Sequence, residues 1–298
     1  MTRTMDRCII TSASSKFFPV LLNFLGSISQ NYPSHPHVYV YDLGLLKPFR
    51  TELESISWVT VLDMPAFVPH WRSCYTWKTY ILNTPKETLN LYLDAGCQVL
   101  RSLDPLFEET SEKGYVFVSQ GPNVLAREVT PTQYVRLLDI PEDALGKEII
   151  AAGIIGFKKE STVTPLLCAL YDSGVAGLCL GFSSSEQWKN KGQNRNSFIR
   201  DCDKFRHDTT LLTILMRKML PEAAIHDVRE FSDASQTDPA MPQYVWNFRM
   251  NFKSLPYLDP KLLHEEVPML SVMNRKYVSA FIMLKRASNR IKGKLRQI

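Results

Sequence analysis

Residues 89–106, LNLYLDAGCQVLRSLDPL, constrain this chain more than any other stretch. Leu89, Leu91, Tyr92 and Leu93 form a short apolar run that stops at Asp94, Ala95 and Gly96, and a second short run, Val99 and Leu100, leads away. A run of this length bounded by turn residues predicts a buried strand that delivers a carboxylate to the edge of a sheet. An unpaired carboxylate in low dielectric is costly, so Asp94 calls for a metal ion, a ligand hydroxyl or a basic side chain beside it. Gly96 would let a group approach the backbone closely. Taken alone, the D-x-G also reads as an ordinary turn.

The elements around it follow an alternating order. Residues 7–13 (RCIITSA) predict a first strand ending in small hydroxyl residues, and Phe17, Val20, Leu21, Phe24, Leu25 and Ile28 repeat at helical spacing. VYVY at 38–41, closed by Asp42, Leu43 and Gly44, predicts a second strand, and residues 58–62 a third. Alternation of this kind indicates a doubly wound sheet, which binds ligands at the carboxyl ends of its strands. Thr11 and Ser12, Asp42 and Asp94 stand at such ends.

Upstream of the central strand, HWRSCYTWKTYILNTP predicts a helix with Tyr75, Thr79 and Leu82 toward the sheet. Arg72 and Lys78 place cations close in sequence to Asp94, suited to a diphosphate; Lys78 fits equally a lysine whose stem lies along an amphipathic helix. After the central strand, Asp104 before Pro105 predicts a capped helix start. YVFVS at 115–119 predicts another strand, and residues 122–145, punctuated by Pro131 and Pro141, a partly helical excursion. IIAAGIIGF at 149–157 predicts a strand pair or a bent strand whose Ala151, Ala152 and Gly153 leave room for a ligand. Residues 163–176 predict a helix, and the Gly-, Ser- and Asn-rich residues 181–196 a mobile loop, the candidate lid if the chain is an enzyme. In FRHDTTLLTILMRKML, Leu211, Leu212, Leu215, Met216 and Met219 face inward on a helix; its start carries His207 and Asp208, which can cap it or reach into a site.

Composition excludes several classes. With 298 residues, 45% hydrophobic and 22% charged, the chain has the make-up of a soluble globular protein. Its sequence predicts neither an integral span nor a secretory leader. Six widely spaced cysteines form no C-x-x-C pair, which fits a reducing compartment and a cytoplasmic location. The basic excess gathers at the end, in Arg275, Lys276, Lys285, Arg286, Arg290, Lys292, Lys294 and Arg296. Residues 277–298 predict an amphipathic basic helix, with Val278, Phe281, Ile282, Leu284, Ile291 and Leu295 apolar. Such helices mostly pack on their own domain; peripheral membrane contact is the alternative. No nucleic-acid recognition motif accompanies the tail, so no nucleic-acid partner is expected.

Taken together, CIITSA, YTWKTYILN, LYLDAGCQVLRSLDPLFE, AAGIIGFKK and FRHDTTLLTIL, in this order, resemble a GT-A type glycosyltransferase, nearest to nucleotide-sugar transferases related to glycosyltransferase family eight. The resemblance covers residues 7 to about 220. It implies an α/β, Rossmann-like, mixed and mainly parallel sheet flanked by helices, with a C-terminal helical tail. The implied organisation is one transferase domain over 1–260, with a nucleotide-binding half about 1–110 and an acceptor half about 111–260, then a basic extension over 261–298. The implied activity is hexosyl or pentosyl transfer from a nucleotide-diphosphate sugar, UDP-sugar favoured, onto a glycan, glycolipid or glycoprotein.

Asp94 matches the first aspartate of the family's D-x-D pair, and Gly96 stands where the second belongs. The implied metal is Mn2+ or Mg2+, held by Asp94 with His226 or Asp227 recruited, or else replaced by Lys78 and Arg72. Thr11, Ser12 and Ala13 match the loop along the nucleotide, with Asp42 at the next strand end. Ala152 and Gly153 match the strand beside the donor sugar. Asp208 matches the aspartate of the family's D-Q motif, Thr209 replaces its glutamine, and His207 is placed to assist. Two other readings share the fold: a sugar nucleotidyltransferase, disfavoured because TSASSKFFP lacks the Gly-rich triphosphate loop, and a non-catalytic nucleotide-sugar-binding protein.

Overall fold

The structure, a computed structural model, describes residues 6–121, 123–181, 202, 204–231, 243–247 and 255–295. The lid expected over 181–196 lies, beyond Gly181, outside the described residues, as does Arg296. The strands are β1 (Arg7–Ala13), β2 (His37–Asp42), β3 (Val59–Asp63), β4 (Leu89–Leu93), β5 (Cys97–Val99), β6 (Tyr115–Ser119), β7 (Ile150–Lys158) and β8 (Val245–Asn247). The first helices are α1 (Phe18–Asn31), α2 (Lys47–Glu54), α3 (Thr76–Leu82) and α4 (Asp104–Lys113). Three short ones follow, α5 (Ala126–Val129), α6 (Thr132–Leu137) and α7 (Glu142–Leu145). The rest are α8 (Thr164–Val175), α9 (Asp208–Met219), α10 (Val228–Phe231) and α11 (Met269–Leu295).

Strand order in the larger sheet is β3-β2-β1-β4-β7-β6. β1 pairs parallel with β4 and β2 with β3, while β7 runs antiparallel to both β4 and β6. The mixed α/β sheet flanked by helices is therefore present. Residues 149–157, expected as a strand pair or a bent strand, contribute one continuous strand, because β7 has a hydrogen-bonding partner on each side.

The chain clusters into two compact units, the first holding residues 1–10, 64–93 and 103–243 and the second 11–63, 94–102 and 244–298. In the first unit, all five residues of β4 are buried, as a strand covered on both faces requires. α4 begins with Pro105 in its first turn and ends at Gly114, whose φ of +88° only glycine adopts without strain. Asp104 is the first residue of α4, with Leu103 at the cap position, and its carboxylate accepts from Arg7 at 2.6 Å. Gly156 of β7 has no room for a Cβ: the Thr110 hydroxyl of α4 and the Val116 side chain occupy that space. On α9, Leu211, Leu212, Leu215 and Met216 are buried as expected, but Met219 is exposed at the helix's last residue.

In the second unit, α1 carries Asn23, Ser27 and Asn31 at helical spacing along one side, and Asn23 and Ser27 are buried. They pin β5: Asn23 Nδ2 donates to Gln98 Oε1 at 3.3 Å, Val99 N donates to Ser27 Oγ at 2.9 Å, and Asn31 Nδ2 donates to the Val99 carbonyl at 2.8 Å. Side chains thus satisfy the Val99 backbone of a three-residue strand whose other side pairs antiparallel with β8. The final helix begins at Met269, eight residues before the expected start, and packs on α2.

Candidate functional site

The first unit gathers three of the expected site residues. Lys78 lies on α3, which packs on α8 and α9; Asp208 opens α9; Ala152 lies on β7. Lys78 Nζ stands 3.0 Å from Asp208 Oδ2 and donates to the Ala152 carbonyl at 3.1 Å. Lys78 is 4% exposed and Asp208 5%. Ions this deep are retained only when paired and hydrogen-bonded. Two aromatic rings complete the ammonium's surroundings, Tyr75 with its centroid at 5.6 Å and Tyr92 at 5.3 Å. Of the two readings open for Lys78, a charge extended to solvent is thereby ruled out.

The backbone beside this pair is strained. Cys74 and Tyr75, just before α3, have φ of +52° and +62°, and His207, just before α9, has φ of +54°. Non-glycine residues with positive φ are uncommon and gather at functional sites. Tyr75 and His207 face each other with ring centroids 6.1 Å apart. Tyr75 therefore lies outside the helix that the sequence predicted for it and is half exposed rather than packed on the sheet. His207 Nδ1 donates to the Cys179 carbonyl at 2.8 Å, which fixes the ring's orientation. Burial first, and the nearby Asp208 charge second, push the Cys179 thiol far above its ordinary range. Tyr75 and Tyr92 sit three residues before Lys78 and two before Asp94, yet no local pattern places them, or Cys179, in this site.

Other expected residues are placed differently. Gly153 is buried beside Ala152 on β7. Arg72 is exposed, with its guanidinium 4.6 Å from the Trp71 ring centroid. His226, expected near a metal, holds Glu109: Nε2 and Oε2 are 2.8 Å apart. Its backbone extends β6 through a bridge to Val118. Burial alone would raise the Glu109 carboxyl, but hydrogen bonds from Lys113 and His226 outweigh it and hold the group below the usual 4.5. A depressed carboxylate stabilises the fold above its unfolded value and loses that contribution as pH falls through the folded one. Glu109→Gln should therefore flatten the stability–pH profile below about pH 4.5, measured as chemical denaturation midpoints across that range.

In the second unit, Thr11, Ser12 and Ala13 are buried at the end of β1, and the Thr11 hydroxyl has no hydrogen-bond partner among the described residues. Asp42 is engaged within its own turn. Oδ1 accepts from Gly44 N at 2.7 Å and Leu45 N at 2.6 Å, and Oδ2 from Arg50 at 3.1 Å. A nucleotide contact expected of Asp42 has to compete with these bonds. Asp94 is half-buried in the turn after β4, its carbonyl accepting from Cys97 N at 2.9 Å. Among the described residues, no three His, Cys, Asp or Glu gather into a metal-binding group.

No family model matches the chain, and no curated protein matches it. Among solved structures the chain is similar to glycosyltransferases. One is the galactosyltransferase LgtC in complex with donor and acceptor sugar analogs, at 16% identity over 80% of this chain and 86% of that one, TM-score 0.46. Another is the bifunctional glycosyltransferase WbbM, at 11% identity over 78% of this chain and 40% of that one, TM-score 0.48. A third is core-mannan synthase A from Aspergillus fumigatus in a Mn/GDP form, at 11% identity over 76% and 73%, TM-score 0.48.

Proposed function

We propose that this chain is a glycosyltransferase that moves a sugar from a nucleotide-diphosphate donor, with UDP-sugar favoured, onto a glycan, glycolipid or glycoprotein. The observation that carries this reading is the buried Lys78–Asp208 pair at 3.0 Å, beside the Ala152 carbonyl and two strained helix starts. Breaking an anomeric bond builds negative charge on the leaving phosphate, and transfer needs a carboxylate beside the sugar or the incoming hydroxyl. A fixed lysine and a fixed aspartate are suited to those two tasks. Lys78 orients Asp208, and Asp208 contacts the donor sugar or takes the acceptor's proton. His207, its ring held by Cys179, assists from the same helix start. The motif resemblance adds Thr11, Ser12 and Ala13 as the nucleotide loop; the buried, unpartnered Thr11 hydroxyl supports that role.

A divalent ion, Mn2+ or Mg2+, fits this chain only as a substrate-assisted site. Asp94 is its one carboxylate in the motif, and the diphosphate and water would complete the shell, as magnesium sites of this type allow. His226 Nε2 lies 2.8 Å from Glu109 Oε2, so its Nδ1 would be the atom offered to a metal. Such an ion would neutralise charge building on the diphosphate.

Release of nucleoside diphosphate, measured with Mn2+ across several donors, tests the reading. Slow hydrolysis of at least one donor is expected. No turnover of any donor, together with donor binding that survives Asp94→Ala, would leave a nucleotide-sugar-binding protein instead.

A further inference from the structure

The last helix is built inside out. On α11, Ser271, Asn274 and Arg275 are buried alongside Val278 and Ile282. The opposite side presents Met269, Met273, Tyr277, Met283 and Leu284, which are 81%, 58%, 54%, 64% and 71% exposed. Their spacing places them on one face of a helix, with exposed Ala280 between them. An ordinary surface helix turns such a face to the core; one left exposed marks an interaction surface.

We propose that this outward face of α11 docks the chain on an anionic lipid surface. Charge selects the occupant. From residue 267 to residue 298 the sequence contains no Asp or Glu, while, with the buried Arg275 set aside, Lys276 to Arg296 supplies the basic cluster. A second copy of the chain laid on the same face would bring two such clusters together, whereas an anionic bilayer neutralises them. An apolar face and a polybasic segment are the two signals that together hold a protein on a membrane when either alone is marginal. Beside the face, Pro19, Leu46, Phe49, Tyr277 and Phe281 line a groove of about 190 Å3 shared with Lys16, which is exposed. That slot suits part of an acyl chain, with the ammonium available to a phosphate headgroup. Among the described residues, no helix is long and apolar enough to cross a membrane, so the contact is interfacial.

Co-sedimentation of the full chain with vesicles tests this without any nucleotide sugar, so its outcome is independent of the proposed transfer. The chain should pellet with phosphatidylglycerol-containing vesicles, release as salt rises, and stay largely in solution with phosphatidylcholine alone. Met273→Asp combined with Leu284→Asp should lower the partition at least about tenfold, since each charge replaces a side chain inserted among acyl groups. Met273→Leu should bind as the wild type, and circular dichroism should show all forms folded. The proposal is overturned if the wild type ignores both vesicle types or if the double variant pellets unchanged. It is also overturned if the wild type forms a concentration-dependent dimer that the variant dissolves, because the face then belongs to a second copy.

Discussion

Lys78→Met is expected to lower donor turnover by at least about a hundredfold, the scale found when one fixed charge-stabilising group is removed from an active site. The same substitution should destabilise the chain by about 3–5 kcal/mol, because it strands the Asp208 carboxylate in a site where Lys78 was its counter-charge. One variant alone cannot separate these effects, since a poorly folded protein is also inactive. The double variant Lys78→Met with Asp208→Leu separates them. Replacing both ions with apolar groups of similar size is commonly neutral or stabilising, so the melting temperature should return close to wild type. Turnover should not return, because neither the cation nor the carboxylate is present. Thermal melts and nucleoside-diphosphate release on the same preparations provide the check. A double variant that regains both would assign the pair to folding alone.

The fold was legible wherever apolar periodicity decides structure. The runs at β1, β2, β4, β6 and β7 are short, bounded and strongly apolar, and each became a strand. The stretch around Asp94 was read correctly as strand then turn because five buried residues in succession have few other solutions. Periodicity failed where polar side chains are buried for a purpose. Asn23, Ser27 and Asn31 fall outside the apolar repeat of α1, yet Ser27 and Asn31 bond the Val99 backbone and Asn23 the Gln98 side chain of β5, a strand too short to announce itself. The C-terminal helix was legible in part: Val278 and Ile282 are buried and the helix packs on α2 as expected, but Leu284 faces outward and Arg275, counted in the basic excess, is buried.

The candidate site divides along the same line. Residue types and order brought Lys78, Ala152 and Asp208 forward as separate candidates, and their association at about 3 Å is a tertiary fact that no local pattern encodes. The positive φ at Tyr75 and His207 is likewise invisible, because neither residue type favours it and only the surrounding packing holds it. His226 is a further case: the resemblance offered it as a ligand in place of the aspartate missing at Gly96, and its Nε2 meets a carboxylate on α4 that no local pattern announces.

A second buried ion cluster, in the other unit, should respond differently. Glu52 of α2 is fully buried: Oε1 lies 3.2 Å from His264 Nε2 and 3.5 Å from Arg275, and Oε2 accepts from Asn274 at 3.3 Å. Burial lowers the Arg275 pKa below the ordinary guanidinium range, and the negative charges of Glu52 and Asp259 oppose that shift. Glu52→Leu removes the closest of these charges and leaves a guanidinium that cannot shed its proton. The expected loss is about 3–5 kcal/mol, seen as a lower denaturation midpoint with little change in slope. Glu52→Leu with Arg275→Leu should recover most of it, because Asn274 keeps its bond to the Pro48 carbonyl at 3.2 Å. Among the described residues, none around this cluster carries the backbone strain found at Tyr75 and His207. Turnover per folded molecule should therefore be the same in wild type, single and double variants once stability is restored by temperature or osmolyte. Equal turnover here, against its loss in the Lys78 and Asp208 variants, would distinguish an ion pair that fastens α11 to α2 from one that acts on the donor. Loss of turnover in the folded Glu52 variant would instead extend the functional site into this cluster.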